Sequence, residues 1–126
     1  MMNLLVIAIG GALGAVARYS LVGLMTEWLG KSYPYGTSLV NILGSLLIGI
    51  LSVFVIEKFH ATPEIRFLAM VGFLGAFTTF STFSLETVSL LQSGRVIAAM
   101  VYVLSSVTLC ILATAAGMIL AKSLLN

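Results

Sequence analysis

The chain has 126 residues, of which 60% are hydrophobic and only 8% are charged, with a net charge of +2 and a mean hydropathy of +1.19. A soluble domain is about 45–50% apolar and roughly 25% charged, so this composition excludes an ordinary soluble domain and indicates a membrane protein. Six scattered basic residues do not form a nucleic-acid patch, and a single cysteine excludes a disulfide framework.

Charged residues mark the ends of four long apolar stretches that are joined by short connections. A helix that crosses a bilayer needs about 20 mostly apolar residues, and each stretch is long enough. We therefore predict an all-α membrane protein whose residues 1–126 form a single transmembrane domain. The four helices are expected over about residues 3–28, 36–56, 66–92 and 95–122.

The first predicted helix is rich in small residues and contains two charged residues, Arg18 and, near its end, Glu27. It lacks a basic segment before its apolar run, and the run is too long for a cleaved signal, so we expect it to be retained. Gly10 and Gly14 are typical of tight helix packing. Arg18 has two interpretations: it can snorkel to the interface or cap carbonyls, or it can line an aqueous vestibule that concentrates anions.

The second predicted helix carries an amide at depth, Asn41. A strongly polar residue within a span is a functional candidate by default. Asn41 could be a hydrogen bond that holds two helices together, or it could donate to a passing solute. The sequence leaves both interpretations open.

The third predicted helix contains GFLGAFTTFSTFS at residues 72–84. On a continuous helix Phe73, Phe77 and Phe80 would form one aromatic stripe, with Phe83 or Ser84 as its last position. A neighbouring polar stripe would hold Thr79, Thr82, Glu86 and Ser89. Glycine and β-branched residues have low helix propensity, so we also predict a break here, whose freed carbonyls could ligate a small cation.

Further polar groups lie at the end of the third helix and in the fourth. Glu86 could mark the interface or hold a hydrogen-bond network at a pore mouth. The hydroxyls of Tyr102, Ser105, Ser106 and Thr108 are each weak indications, because Ser and Thr often bond to their own helix. The remaining tyrosines and the tryptophan fit an interfacial aromatic belt that needs no function: Tyr19, Tyr33, Tyr35 and Trp28.

The charge distribution does not fix the orientation in the membrane. Four spans place both termini on one side, which holds Lys58, Arg66 and Lys122. The other side holds Lys31 and Arg95, with Arg18 if it faces that water. Because the positive-inside rule needs an asymmetry, the chain could insert both ways up and form a dimer of opposed copies.

Hydroxyl hydrogens, an amide and the positive edges of phenylalanine rings favour a small hydrated anion as the solute. Such groups replace hydration without a fixed charge, so the ion is not trapped. The hydroxyl oxygens could equally serve water or a cation, and the pattern does not name the ion.

The motifs GGALGAVARY at residues 10–19, GTSLVNILGS at 36–45 and GFLGAFTTFSTFS followed by Glu86 resemble the Fluc-type (CrcB) fluoride channels along the whole chain. The resemblance implies a multi-pass protein of the bacterial cytoplasmic membrane with a broken third helix. It implies an antiparallel, dual-topology homodimer with two fluoride pores that passively export fluoride and so reduce its toxicity.

The resemblance also assigns residues. Gly75 and Thr78 would hold a central structural Na⁺ through carbonyls from both subunits, and this Na⁺ is not transported. Phe80 and Phe83 would offer ring edges to fluoride. The rest of the implied fluoride pathway consists of the pore amide, a polar track and the vestibule arginine: Asn41, Ser81, Thr82, Tyr102, Ser106, Glu86 and Arg18.

Three other classes of protein are alternatives to the channel. A proton-coupled exporter of the small multidrug type also has four helices, but it needs a buried carboxylate in the first helix, where this chain has Glu27 only near the end. A non-transporting membrane subunit would not need the hydroxyl track. An enzyme is the least favoured, because the short connections leave no place for a catalytic set.

Overall fold

The computed structural model describes residues 1–58 and 60–126, and every regular element in them is helical. Over these residues four helical stretches are long and apolar enough to cross a membrane, which confirms the predicted all-α membrane class. Residue 59, within the predicted connection between the second and third spans, lies outside the described residues. The four spans cover Met2–Leu29, Tyr35–Glu57, Pro63–Gln92 and Val96–Leu125.

The first two spans are joined by a short loop over residues 30–34. Helix α1 (Met2–Leu29) ends at Gly30, whose φ of 86° suits glycine and whose amide donates to the Thr26 carbonyl at 2.9 Å. Pro34 directly precedes α2 (Tyr35–Leu51), as a residue without an amide hydrogen can. The second span then continues as a π-helical segment, π1 (Ser52–Lys58).

The third span has two helical halves. The first half consists of α3 (Pro63–Arg66), the π-helical segment π2 (Phe67–Leu74) and α4 (Gly75–Phe77). Thr78 and Thr79 follow in extended conformation, with ψ of 158° and 123°. The second half is α5 (Phe80–Gln92), and a turn then leads to α6 (Val96–Leu125), the fourth span.

The single aromatic stripe predicted along the third span is not formed. The two extended residues reset the helical phase, so the four rings separate into two pairs. Phe73 and Phe77 stack with their centroids 5.7 Å apart and pack in the core with Val40. Phe80 and Phe83 form the second pair, 5.4 Å apart, on α5.

Glycines let the spans approach backbone to backbone. A Cβ at Gly14 of α1 would overlap the carbonyl oxygen of Phe73, so α1 lies directly against the third span. Gly49 of α2 and Gly117 of α6 make equally close approaches to the opposite helix. The Thr114 hydroxyl adds an interhelical hydrogen bond to the Ser45 carbonyl at 3.0 Å. The Gly14 contact holds the third span against α1, and the other contacts hold α2 against α6.

Candidate functional site

Asn41 binds the backbone of the extended segment in the third span. The Thr79 amide donates to Asn41 Oδ1 at 2.8 Å, and Asn41 Nδ2 donates to the Thr79 carbonyl at 3.0 Å. This pair of hydrogen bonds satisfies a backbone that no longer has helical partners, which would otherwise cost several kcal/mol in a membrane. The structure thus shows Asn41 in the interhelical role. An amide has two N–H donors, so one remains for a solute.

The same hydrogen bonds free two backbone carbonyls. In a continuous helix the Thr79 amide would donate to Gly75 and the Thr82 amide to Thr78. Instead the Thr79 amide is bound to Asn41, and the Thr82 amide donates to the Thr79 hydroxyl at 3.2 Å. The carbonyls of Gly75 and Thr78 therefore lack these helical donors, and carbonyl oxygens of this kind suit a hard monovalent cation. The residues that were predicted as a cation site fit that group.

Arg18 reaches the interruption from α1. Its Nε donates to the Ala76 carbonyl at 3.1 Å, which corresponds to the carbonyl-capping interpretation. The interrupted segment is therefore held from two sides, by Arg18 and by Asn41. Arg18 also lines a cavity, described below as the arginine cavity.

A first cavity of about 470 Å³, here called the midspan cavity, lies beside the interruption. It is lined by Asn41 together with the two rings of α5 and a hydroxyl of α6. Phe83 is buried at 8% exposure, whereas Phe80 is 76% exposed. Of the predicted site residues, the midspan cavity brings together Asn41, Gly75, Thr78, Phe80, Phe83 and Ser106.

Ser106 supplies a free polar atom to the midspan cavity. It is 6% exposed, and its hydroxyl oxygen has no hydrogen-bond partner. A buried polar atom without a partner is costly and rare in native structures. A solute that accepts a hydrogen bond in the cavity would satisfy it.

Two further cavities of about 480 Å³ each share lining residues with their neighbours. The arginine cavity, lined by Arg18, Thr79, Thr82 and Glu86, shares Thr79 with the midspan cavity. The loop cavity lies under residues 30–35 and shares Glu86 with the arginine cavity. The three cavities are therefore neighbours that follow one another from the middle of the third span to the loop.

Glu86 is held at the junction of two cavities by Tyr102. The fully buried Tyr102 donates its hydroxyl to Glu86 Oε1 at 2.9 Å. The Tyr102 ring also contacts Phe83, with centroids 5.0 Å apart. Tyr102 therefore joins the aromatic part of the site to its carboxylate.

Some predicted residues lie apart from the cavities. Ser81 is exposed, and its hydroxyl is 3.5 Å from that of Thr79. Thr108 is exposed as well, and Ser105 bonds back to the Tyr102 carbonyl at 3.4 Å.

Of the predicted polar stripe, Thr82 and Glu86 line the arginine cavity, while Ser89 lines the loop cavity.

Two residues at the site were not identified from the sequence. Thr37 is buried and lines both the arginine and the loop cavity. Its spacing of four residues from Asn41 on α2 could have indicated a shared face. Tyr33, which was predicted to belong to an interfacial belt, packs instead against Tyr102 with centroids 5.6 Å apart. No local pattern indicates that contact, because it forms between residues distant in the chain.

Comparisons with known proteins agree with this architecture. Residues 5–118 match the family described as CrcB-like protein, Camphor Resistance (CrcB). A protein of Hahella chejuensis named fluoride-specific ion channel FluC is 51% identical over 123 residues, which cover 98% of this chain and 97% of the relative.

Proteins of the same name from Magnetococcus marinus and Rhizobium meliloti are 47% and 44% identical. Their matches cover 92% and 98% of this chain and 94% and 99% of the relatives. The relatives are named as ion channels, in agreement with the prediction of a protein that is not an enzyme. The extent of these matches shows that the chain belongs to the CrcB family.

Proposed function

We propose that this chain is a fluoride-selective channel that lets fluoride leave the cytoplasm passively. The observation that carries the proposal is a set of three neighbouring cavities, in which Thr79 lines the midspan and arginine cavities and Glu86 lines the arginine and loop cavities. Hydrogen-bond donors and phenylalanine rings line these cavities, and the relatives are named as fluoride-specific channels. Donors without a row of lysines suit an anion that must bind and then leave.

The middle of the pathway strips water from the ion. Fluoride accepts hydrogen bonds from the free Asn41 N–H and from the Ser106 hydroxyl, which has no partner in the protein. Phe80 and Phe83 present the positive edges of their rings. The N-terminal end of α5 begins at Phe80, so its partial positive charge also favours an anion there. Ser81 and Thr82 extend the donors from the start of α5.

A vestibule precedes the middle of the pathway. Arg18 is the cationic side chain of the arginine cavity, which Glu27 and Glu86 also line, and we assign to Arg18 the attraction of the entering anion. Tyr102 keeps the Glu86 carboxylate bound by a hydrogen bond. An inside-negative potential of about 100 mV favours the exit of an anion by roughly 2.3 kcal/mol, so no energy source is required.

The interruption also suits a structural sodium ion that is not transported. Gly75 and Thr78 would supply the carbonyl ligands, and both residues line the midspan cavity. The end of the first half-helix carries a partial negative charge that favours a cation. With Gly75 exposed on one chain, a second copy is the natural source of the remaining ligands.

A second, oppositely oriented copy completes the channel, giving two pores per dimer. The midspan face exposes Phe80, Ser81 and Ser84. Hydroxyls left facing lipid are unfavourable, and a partner that covers this face removes that cost. We infer a multi-pass protein of the bacterial cytoplasmic membrane, an inference that the bacterial relatives support.

The exporter alternative has less support. The acid of the first span, Glu27, lies near its end and is exposed rather than buried at mid-depth. The flux experiment below also distinguishes the channel from a membrane scaffold that transports nothing.

Flux from liposomes tests the proposal. Purified protein reconstituted in liposomes should release fluoride, detected with an ion electrode, and release far less chloride. The variant Phe80→Ile with Phe83→Ile should reduce the fluoride flux at least tenfold while the dimer still assembles. Phe67→Ile, on the same span outside the three cavities, is the matched control and should conduct like the wild type. Equal chloride flux, or no flux at all, would refute the channel.

A further inference from the structure

We propose that Tyr33, in the loop between the first and second spans, is a positioning residue for the Glu86 carboxylate and acts through the Tyr102 ring. The inference rests on the proposed fluoride channel. It gives Tyr33, which lines the loop cavity but neither the midspan cavity nor the arginine cavity, a role in conduction through another side chain.

The Tyr102 ring is enclosed by two other rings. Phe83 contacts it at 5.0 Å with an interplanar angle of 58°, and Tyr33 contacts it at 5.6 Å and 79°. The Tyr33 contact is an edge-to-face pair, which is directional as well as apolar. Because Tyr102 has no exposed surface, these neighbours determine where its hydroxyl points.

Tyr33 is itself held in place by the loop. Its carbonyl accepts the Tyr35 amide at 2.9 Å, and its ring lies 4.9 Å from that of Tyr35. The neighbouring Ser32 carbonyl accepts a hydrogen bond from Arg95, at the start of the fourth span. The loop therefore presents Tyr33 from a backbone tied to α2 and to the turn before α6.

The consequence concerns the charge at the junction of two cavities. Tyr102 donates to Glu86, and Glu86 lines both the arginine cavity and the loop cavity. If Tyr33 is removed, the Tyr102 ring can tilt and the hydrogen bond is lost for part of the time. The carboxylate is then free to turn into the arginine cavity, where its negative charge repels fluoride and competes for Arg18.

The test is fluoride efflux from liposomes that contain the full-length protein. Tyr33→Ala should lower the flux by about threefold to tenfold, which corresponds to losing an edge-to-face pair. Tyr33→Phe keeps the ring and should stay within about twofold of the wild type. Tyr33→Leu fills the space without a ring and should resemble Tyr33→Ala, which covers the case that the alanine variant does not fold. Trp28→Ala removes an exposed ring away from the cavities and should conduct normally.

The double variant distinguishes positioning from general damage. Tyr102→Phe already lacks the hydroxyl that binds Glu86, so adding Tyr33→Ala should cause no further loss. A further loss of the full single-variant size would overturn the proposal. So would normal flux in both Tyr33→Ala and Tyr33→Leu, or equal damage by Tyr33→Phe. Absence of fluoride flux in the wild type would instead refute the channel function itself.

Discussion

Asn41 illustrates how one side chain can stabilise backbone that has left a helix. Its carbonyl and its amino group contact the amide and the carbonyl of the same residue, Thr79. The arrangement imitates the hydrogen bonding of a neighbouring strand, which extended residues require. A side-chain amide suits this geometry because its acceptor oxygen and its N–H donors lie side by side in one plane.

Replacement of the Asn41 amide by a carboxylate is therefore expected to stop conduction. Asn41→Asp keeps the acceptor for the Thr79 amide but places an oxygen against the Thr79 carbonyl. A buried donor or acceptor left unsatisfied costs about 1–3 kcal/mol, and more for a charged group. Fluoride flux in liposomes should fall more than tenfold, and the melting temperature in detergent should drop.

Asn3→Asp is the matched control, because Asn3 is exposed at the start of α1. It should leave both the flux and the melting temperature unchanged. Near-normal flux through Asn41→Asp would mean that neither the bond to Thr79 nor the free N–H matters for conduction.

The sequence identified most site residues but not their partners. Asn41 and Glu86 stand out because a polar residue in a span is unusual. Tyr33 does not stand out, since a tyrosine next to a proline at a span end is typical of an interfacial belt. Its contact with Tyr102 joins residues 69 positions apart by sequence numbering, and no periodicity within either segment contains that information.

Among the elements, the third span departs most from simple helical periodicity. The low helix propensity of glycine and threonine predicted a weak helix there. The direction in which the side chains of α5 point, relative to the first half of the span, depends on the dihedral angles of the extended residues. These angles are set by contacts with Asn41 and Arg18 from other spans. For this reason the lengths of the spans could be predicted from the sequence, whereas the prediction of one continuous aromatic stripe was wrong.

We expect the third span to need bound Na⁺ at its interruption in order to keep the conformation that conducts fluoride. Protein purified with Na⁺ replaced by a bulky organic cation should lose fluoride flux and dissociate more readily, because the Gly75 and Thr78 carbonyls would be left without a ligand. Readdition of Na⁺ at the same ionic strength should restore both properties. Flux and assembly that do not respond to Na⁺ would argue against the carbonyl site.

Close contact between α1 and the third span should make Gly14 intolerant of a methyl group. Gly14→Ala would push a Cβ into the Phe73 carbonyl, and this is backbone that cannot move aside as a flexible side chain does. Overpacking of this kind costs about 1–3 kcal/mol. Thermal unfolding in detergent should show a lower melting temperature for Gly14→Ala.

Gly23 provides the comparison within the same helix. No heavy atom lies within 4 Å of a Cβ at that position. Gly23→Ala should leave stability unchanged or raise it slightly, because alanine is the better helix former. Equal melting temperatures for the two variants would show that the contact at Gly14 is looser than described.

For the whole molecule, four spans place both termini on one side of the membrane and the loops at residues 30–34 and 93–95 on the other. Arg18 makes the charge count nearly even, yet its Nε is used by the Ala76 carbonyl inside the protein. The nearly balanced charge is a property of the whole chain that no single site requires. It is expected if the working dimer needs copies in both orientations.

Two variants with added positive charge on opposite sides of the membrane should therefore restore fluoride efflux when they are expressed together. Ser32→Lys with Ser93→Lys adds positive charge at the loop side, and Ser123→Lys with Asn126→Lys adds it at the terminal side; all four positions are exposed. Each double variant should insert in one orientation, because lysines near span ends are retained in the cytoplasm. Cells that express either variant alone should lose fluoride efflux, and cells that express both should regain it.

Glutamine at the same four positions controls for the loss of the original side chains and should leave efflux intact. Orientation is read from the protease sensitivity of a C-terminal tag, and full efflux by one uniformly oriented variant would show that an antiparallel pair is not required.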